Sequence, residues 1–193
     1  LSFSPNADYL ALAYGPSPHH FLYKRNGDSF NKLPNLAPDP TNLTNGVAFS
    51  PNGVYLAFTM AGYSPYVNVY KRSGDTFTRL ADLATRPPNS LAISFSRDSR
   101  YMATVGSTSP YIKMYECSTD AFIAIADPVS PGSYPNSIDF SPDNSLMVIS
   151  KSNSPYIGTY QTITGATIAA YNEIHKSVLD LAEAAIPNVN ALG

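Results

Sequence analysis

The motif Phe-Ser-Pro-(Asn/Asp) recurs along this chain, with Arg in place of Pro in the third copy. Its copies begin at Phe3, Phe49, Phe95 and Phe140, so they are 46, 46 and 45 residues apart. Self-similarity at about 40–45 residues is typical of arrays of four-stranded β units. We therefore expect an all-β chain built from four copies of one unit, and arrays of this kind mostly bind other molecules.

Other landmarks keep the same register within each unit. A Ser-Pro pair followed by His or Tyr lies at Ser17, Ser64, Ser109 and Ser154, and a tyrosine follows at Tyr23, Tyr70, Tyr115 and Tyr160. Lys24-Arg25 and Lys71-Arg72 come directly after the first two of these tyrosines. A Gly-Asp-(Ser/Thr)-Phe segment then begins at Gly27 and Gly74.

Each unit is predicted to contain four short strands separated by turns. In the second unit we place the strands at 46–50, 55–60, 66–71 and 76–80, because Asn52-Gly53 and Gly74-Asp75 are strong turn signals. Tyr66 and Tyr70 lie on one face of the third strand and Val67 and Val69 on the other, so both faces are apolar. A sheet that is apolar on both sides needs neighbours on both sides, and the radial stacking of a β-propeller supplies them.

We expect four blades at about 1–46, 47–91, 92–136 and 137–171. The chain begins inside a predicted innermost strand, so we favour part of a larger ring over a closed ring of four blades. From Asn172 the period of the pattern becomes helical, with Ile174, Val178, Leu181 and Ala185 on one stripe and Pro187 at the end. The segment 172–193 is thus predicted to be a short helix and tail. The helix either docks on the propeller or joins copies of the chain into a homo-oligomer.

The segments 48–57 and 66–70, with their equivalents in the other units, resemble WD40-like and YVTN-like propeller repeats. The chain departs from true WD40 repeats, since Tyr70, Tyr115 and Tyr160 stand at the tryptophan position and no Gly-His precedes the first strand. The Ser-Pro-Tyr and Gly-Asp-x-Phe segments also look like repeat regions in structural, tail-associated proteins of tailed bacteriophages. That resemblance implies a virion component that contacts virion proteins or a protein or glycan of the host surface.

Composition excludes several classes of function. A net charge of −2 gives no basic field for a nucleic-acid backbone, and no apolar run approaches the roughly 20 residues of a membrane span. No metal-ligand spacing, phosphate loop, dinucleotide fingerprint or nucleophile elbow is present, so we expect no metal, cofactor or catalytic residue. Cys117 is the single cysteine and is expected to be an ordinary semi-buried thiol. The expected location is a virion or a cell surface, with the cytoplasm still open.

Candidate binding residues cluster where the loops between the second and third strands emerge together with the long loops between units. They are Tyr63, Tyr66, Tyr111, Tyr156, Tyr134, His19, His20 and Arg86. Aromatic rings beside short polar groups suit contact with protein or glycan. Tyr66, Tyr111 and Tyr156 could equally be wedges between blades.

Asp139 is the one carboxylate that interrupts the repeat on a predicted innermost strand, where the other units have Ser2, Ala48 and Ser94. Propellers often place sites around the central channel, but we interpret Asp139 as a surface or capped aspartate. The leading hypothesis is a non-enzymatic scaffold of a phage particle. One alternative is a bacterial extracytoplasmic propeller of the YVTN-like type used for surface interaction. Another is a propeller hydrolase or lactonase with its site in the central channel. An enzyme should carry unit-specific Asp, Glu, His or Arg residues that converge on the channel.

Overall fold

The computed structural model describes residues 1–37, 43–62, 64–86, 88–128 and 130–161, and these residues form fifteen β-strands. The strands are β1 (Ser2–Phe3), β2 (Tyr9–Ala13), β3 (His20–Asn26), β4 (Ser29–Lys32), β5 (Thr44–Phe49), β6 (Tyr55–Met60), β7 (Val67–Ser73), β8 (Thr76–Arg79), β9 (Ser90–Phe95), β10 (Tyr101–Gly106), β11 (Ile112–Ser118), β12 (Ala121–Ala124), β13 (Pro135–Phe140), β14 (Leu146–Lys151) and β15 (Ile157–Gln161). No helix occurs within these ranges.

Consecutive strands pair antiparallel into four sheets. Three sheets have four strands, β1–β4, β5–β8 and β9–β12, and the fourth, β13–β15, has three described strands. The first strands of the sheets, β1, β5, β9 and β13, contact one another in chain order. They therefore form an inner rim around a common axis, as in a propeller, and the four sheets are its first to fourth blades. Within the described ranges, β13 shows no comparable packing against β1.

The Phe-Ser-Pro-(Asn/Asp) motif builds the turn between the first and second strands of each blade. In the second blade, Ser50 Oγ donates to Asn52 Oδ1 at 2.7 Å and accepts from Tyr55 N at 2.8 Å, while Asn52 Oδ1 also accepts from Val54 N at 3.0 Å. The same bonds recur around Ser4 and Asn6, Ser96 and Asp98, and Ser141 and Asp143. Short side-chain acceptors thus satisfy the turn backbone, which explains why the motif is copied.

One position in each of these turns has a positive φ. Gly53 has φ 70°, and its equivalents Ala7, Ser99 and Asn144 have φ 58°, 60° and 59°. Glycine adopts this left-handed conformation without steric cost, whereas alanine does not. The turn therefore has the same backbone conformation in every unit, including at Ala7, where the residue type disfavours a positive φ.

Three apolar clusters hold the blades together, and each lies between two consecutive blades. Between the first and second blades, Tyr9 packs edge-on against Phe77 at 5.6 Å between ring centroids. Between the second and third blades, Tyr55 packs in the same way against Phe122 at 5.1 Å. The third-strand tyrosines Tyr70, Tyr115 and Tyr160 are fully buried. The second and third blades are thus covered on both faces, as the apolar pattern of the third strand predicts.

A second contact repeats beside each of these aromatic pairs. Lys24 Nζ in the first blade lies 2.5 Å from Asp75 Oδ2 in the second, and Tyr9 Oη also donates to Asp75. Lys71 Nζ in the second blade lies 2.5 Å from Asp120 Oδ2 in the third, where Tyr55 Oη donates to Oδ1 at 3.1 Å. We call this arrangement the Tyr–Lys–Asp contact. The hydrogen bond from Lys71 lowers the pKa of the Asp120 carboxyl, and the one from Lys24 lowers that of Asp75.

The sequence predictions for the second blade match the strands closely. The second strand occupies 55–60 as expected, the third begins one residue later than predicted, and the fourth ends one residue earlier. Lys24 and Lys71, which end the repeated Tyr-Lys segments, form ion pairs between blades. The predicted outer strand of the fourth blade and the predicted helix with Ile174, Val178, Leu181 and Ala185 lie outside the described residues.

Candidate functional site

The loops between the second and third strands lie at one end of the blades, here called the loop end. In all four blades their Ser-Pro peptide bond is cis. Tyr66 and Tyr111 are half-buried there, while Tyr156 is 67% exposed and Tyr134 is 53% exposed. Tyr134 packs edge-on against Tyr111 at 5.9 Å. The structure thus brings two of the predicted binding tyrosines together, and Tyr156, in the last described blade, is exposed.

The two neighbouring histidines have different surroundings. His19 has φ 59°, and its Nδ1 lies 2.7 Å from the Gly15 carbonyl oxygen. His20 is only 1% exposed, its Nε2 accepts a hydrogen bond from Leu36 N at 3.1 Å, and its ring packs edge-on against Phe58. The proposed surface role of His20 is corrected by this burial, because the ring is enclosed between the first and second blades.

Arg86 is held by neighbours in its own blade. Its Nη1 lies 3.4 Å from Asp82 Oδ2, and its Nη2 donates to Ser64 Oγ at 3.3 Å. The side chain is 18% exposed, so it offers little surface to a partner. Tyr63 and the predicted helix stripe lie outside the described residues, so their roles stay predictions.

Asp139 lies on β13, the innermost strand of the fourth blade, and it gathers polar groups from two blades. Ser94 Oγ on β9 donates to Asp139 Oδ1 at 2.9 Å, and Phe140 N donates to the same oxygen at 2.9 Å. Arg97 Nη2 lies 3.2 Å from Asp139 Oδ2 and also donates to the Phe140 carbonyl at 3.3 Å. Among the described strands β13 pairs with β14 alone, and this group lies where the fourth blade packs against the third.

Arg97 is the partner that the sequence reasoning did not single out. Its signal is present in the sequence, because the other units have Pro5, Pro51 and Pro142 at this position of the turn motif. Arg97 and Asp139, which each differ from the equivalent residues of the other units, thus form an ion pair with each other. The Arg97 and Asp139 side chains remain 46% and 66% exposed in the described structure.

A carboxylate beside a guanidinium can serve an acyl-transfer reaction. The carboxylate can accept a proton from an attacking water, and the guanidinium can bind an anionic group or a developing oxyanion. Ser94 and the Phe140 amide fix the carboxylate by hydrogen bonds to one oxygen. This pair is the strongest candidate site among the described residues.

The described part of the chain gives less support to a cysteine nucleophile or a metal site. Burial raises the pKa of the Cys117 thiol to about 12, so it is protonated at neutral pH and is a poor nucleophile. No cluster of three His, Cys, Asp or Glu side chains is found within the described ranges. Nor do these ranges contain a helix with the length and apolar character of a membrane span.

A cavity of about 230 Å³ lies between the first and second blades, away from the inner rim. Asp75 is the charged residue among its described lining, and Lys24 and Tyr9 already bind that carboxylate. The cavity is therefore better explained by blade packing than by ligand binding.

Comparison with known proteins gives matches in structure alone. No family model matches the sequence, and no curated protein matches it. A functionally unknown protein from Desulfotomaculum acetoxidans has a TM-score of 0.72 at 12% identity, over 89% of this chain and 53% of that protein. A "putative 6-phosphogluconolactonase" from Bacteroides fragilis has a TM-score of 0.70 at 12% identity, over 90% and 52%. One with the same description from Bacteroides uniformis has a TM-score of 0.66 at 15% identity, over 85% and 53%.

These likenesses establish the propeller-like fold, and this chain spans about half the length of the solved structures. They also correct the leading functional hypothesis of a non-enzymatic phage component. The fold is shared with proteins described as lactonases, and the comparisons give the phage and WD40 assignments no support. Asp139 and Arg97 are unit-specific charged residues that lie side by side, which is the kind of departure from the repeat expected of an enzyme.

Proposed function

We propose that this chain contributes to a propeller lactonase that hydrolyses a sugar lactone at the pair Asp139 and Arg97. The observation that carries the proposal is the contact of two unit-specific, oppositely charged side chains, Asp139 on the inner rim and Arg97 in the turn after β9, 3.2 Å apart. The 6-phosphogluconolactonase activity named for two structural neighbours supports the choice of substrate class. A phosphorylated sugar lactone carries both an electrophilic carbonyl and an anion, which suits a site with one carboxylate and one guanidinium.

In this mechanism a water oxygen attacks the lactone carbonyl carbon while the Asp139 carboxylate takes a proton from that water. The tetrahedral intermediate then collapses with cleavage of the ring carbon–oxygen bond. Asp139 gives the proton back to the ring oxygen, which becomes a hydroxyl, and the product is a hydroxy acid. Arg97 binds either the phosphate or the developing oxyanion, and Ser94 holds the Asp139 carboxylate in place.

The test measures acid release during the opening of 6-phosphogluconolactone and of unphosphorylated gluconolactone, each corrected for spontaneous hydrolysis. The test variants Asp139→Ser and Arg97→Pro restore residues that other units have at the same positions, so the blades should still fold. We expect Asp139→Ser to lower kcat by about 10²-fold or more, as for loss of a general base. Arg97→Pro should raise KM more for the phosphorylated lactone if Arg97 binds the phosphate.

Asp127→Asn is the matched control, because Asp127 is also an ion-paired aspartate, 2.6 Å from Lys113, and it lies outside the inner rim. It should keep the full rate. No hydrolysis above the spontaneous rate with either lactone, or full activity in Asp139→Ser, would refute the proposal. The aromatic loop end with Tyr134 and Tyr156 stays a predicted contact surface for protein or glycan.

A further inference from the structure

The face of a blade that packs against the preceding blade carries three recurring side chains. They are a phenylalanine on the first strand, an aspartate in the turn before the fourth strand, and a phenylalanine on the fourth strand. We call this set the leading face; it consists of Phe49, Asp75 and Phe77 in the second blade and of Phe95, Asp120 and Phe122 in the third. The tyrosine and the lysine of the Tyr–Lys–Asp contact come from the blade before it.

The first blade has a complete leading face that nothing in the described structure covers. Phe3 is 50% exposed and Phe30 is 36% exposed, whereas the equivalent Phe49 and Phe77 are 7% and 8% exposed. Asp28, which is equivalent to Asp75, is also exposed. Phe3 and Phe30 pack against each other, with their ring centroids 6.0 Å apart. Two rings and a carboxylate are thus arranged for an interface that repeats twice elsewhere in the molecule.

The sequence indicates what covers such a face, because the lysine of one unit accompanies the aspartate of the next. Lys24 is followed by Asp75 and Lys71 by Asp120 in consecutive units. The third unit has Glu116 at the lysine position, and the fourth unit has Gly165 at the aspartate position. Glu116 pairs instead with Arg100 of its own blade, at 3.2 Å. We therefore expect the unit that packs against this face to carry a lysine that forms an ion pair with Asp28.

We infer that the leading face of the first blade, with Phe3, Asp28 and Phe30, is a docking surface for one more blade of this repeat. That blade carries a tyrosine at the start of its second strand and a lysine in its third strand. The fourth blade of a second copy fits less well, since it has Leu146 and Gln161 at these two positions. Leu146 cannot donate a hydrogen bond to Asp28, and Gln161 supplies no positive charge.

The test adds a second copy of residues 1–46 directly before Leu1 in the full chain. The junction keeps the register of the repeat, because Leu1 is equivalent to Val47. The added blade brings its own Tyr9 and Lys24 to the leading face. Repeat arrays gain stability from each interface between neighbours, so the Tm of the fusion should exceed that of the parent chain by on the order of 5 °C. A control fusion has Tyr9→Leu and Lys24→Gln in the added copy alone, which gives that blade the side chains of the fourth blade.

We expect the control fusion to lose most of the Tm gain. Asp28→Asn in the original first blade should lower the Tm of the fusion and leave that of the parent chain nearly unchanged. Equal Tm values for the two fusions would overturn the inference. Sedimentation of the parent chain tests the other occupant. If the parent is a dimer that Asp28→Lys dissociates, a second copy covers the face and the inference is wrong. Neither measurement depends on lactone hydrolysis.

Discussion

The phenylalanine on the fourth strand allows one side chain to be compared in two environments of the same repeat. Phe77 is 8% exposed and packs edge-on against Tyr9 and Phe49, at 5.6 and 6.3 Å. Phe30 is 36% exposed and has one described aromatic partner, Phe3, at 6.0 Å with the rings tilted by 56°. Replacement of each by alanine removes the same atoms, so the difference between the two variants measures the interface between blades.

The exposures differ by 28% of the residue surface, from 36% minus 8%. On a phenylalanine surface of about 200 Å², this difference is about 56 Å², worth about 1.4 kcal/mol at about 25 cal/mol per Å². The additional edge-on contact of Phe77 adds about 0.5–1.5 kcal/mol. Phe77→Ala should therefore destabilise the protein by about 2 kcal/mol more than Phe30→Ala, with the larger cost in the range of about 3–5 kcal/mol for a core phenylalanine.

The assay is urea unfolding at equilibrium, followed by far-ultraviolet circular dichroism, with the slope m compared between variants. Equal m values allow the midpoints to be converted into free energies. If Phe30→Ala costs as much as Phe77→Ala, then Phe30 is already buried in solution by another molecule, and the assignment of an open leading face fails. If neither variant destabilises the protein, the aromatic contacts between blades contribute less than their geometry implies.

Two further predictions concern the turns. Ala7→Gly should stabilise the protein by about 0.5–1 kcal/mol, because Ala7 has φ 58° at a position where Gly53 occurs in the second unit, and unchanged or lower stability in urea would contradict this. The hydrogen bond from Ser141, with those from Ser145, lowers the pKa of Asp143 to about 2. The stabilisation from this ionised carboxylate is present above the unfolded pKa of about 3.9 and is lost as pH falls through the folded pKa. Asp143→Asn should thus be less stable than the parent at pH 7 but equal to it near pH 2, and a pH-independent difference would exclude the charge as the cause.

The position of the candidate site was only half predictable from the sequence. Asp139 stands out because a charged residue replaces serine or alanine on an innermost strand. Arg97 is equally unusual at a proline position, but a substitution in a turn has several explanations until its neighbours are known. The packing of the fourth blade against the third brings Arg97 to Asp139, and this packing involves two units. Sequence spacing within a unit carries no information about that packing.

The loop end shows the same limit. A tyrosine after Ser-Pro occurs in three units and is predicted to behave alike in all of them. Tyr111 packs against Tyr134, whereas Tyr156 lies 67% exposed. The partner of Tyr111 belongs to the loop that leads into the next blade, and Tyr156 lies in the last described blade, so the burial of each tyrosine depends on the neighbouring blade and not on its local sequence.

The sequence by itself determined the unit, its strands and its turns, because these depend on interactions within about ten residues. The serine and asparagine bonds of the turn, and the alternation that buries both faces of the third strand, are local in this sense. Tertiary structure alone decided which side chains meet across blades. The Tyr–Lys–Asp contact joins residues more than 45 positions apart, and the Arg97–Asp139 pair joins residues 42 apart. Such pairs form only when twisted sheets stack around an axis, so their geometry follows from the packing of the blades and not from any single repeat.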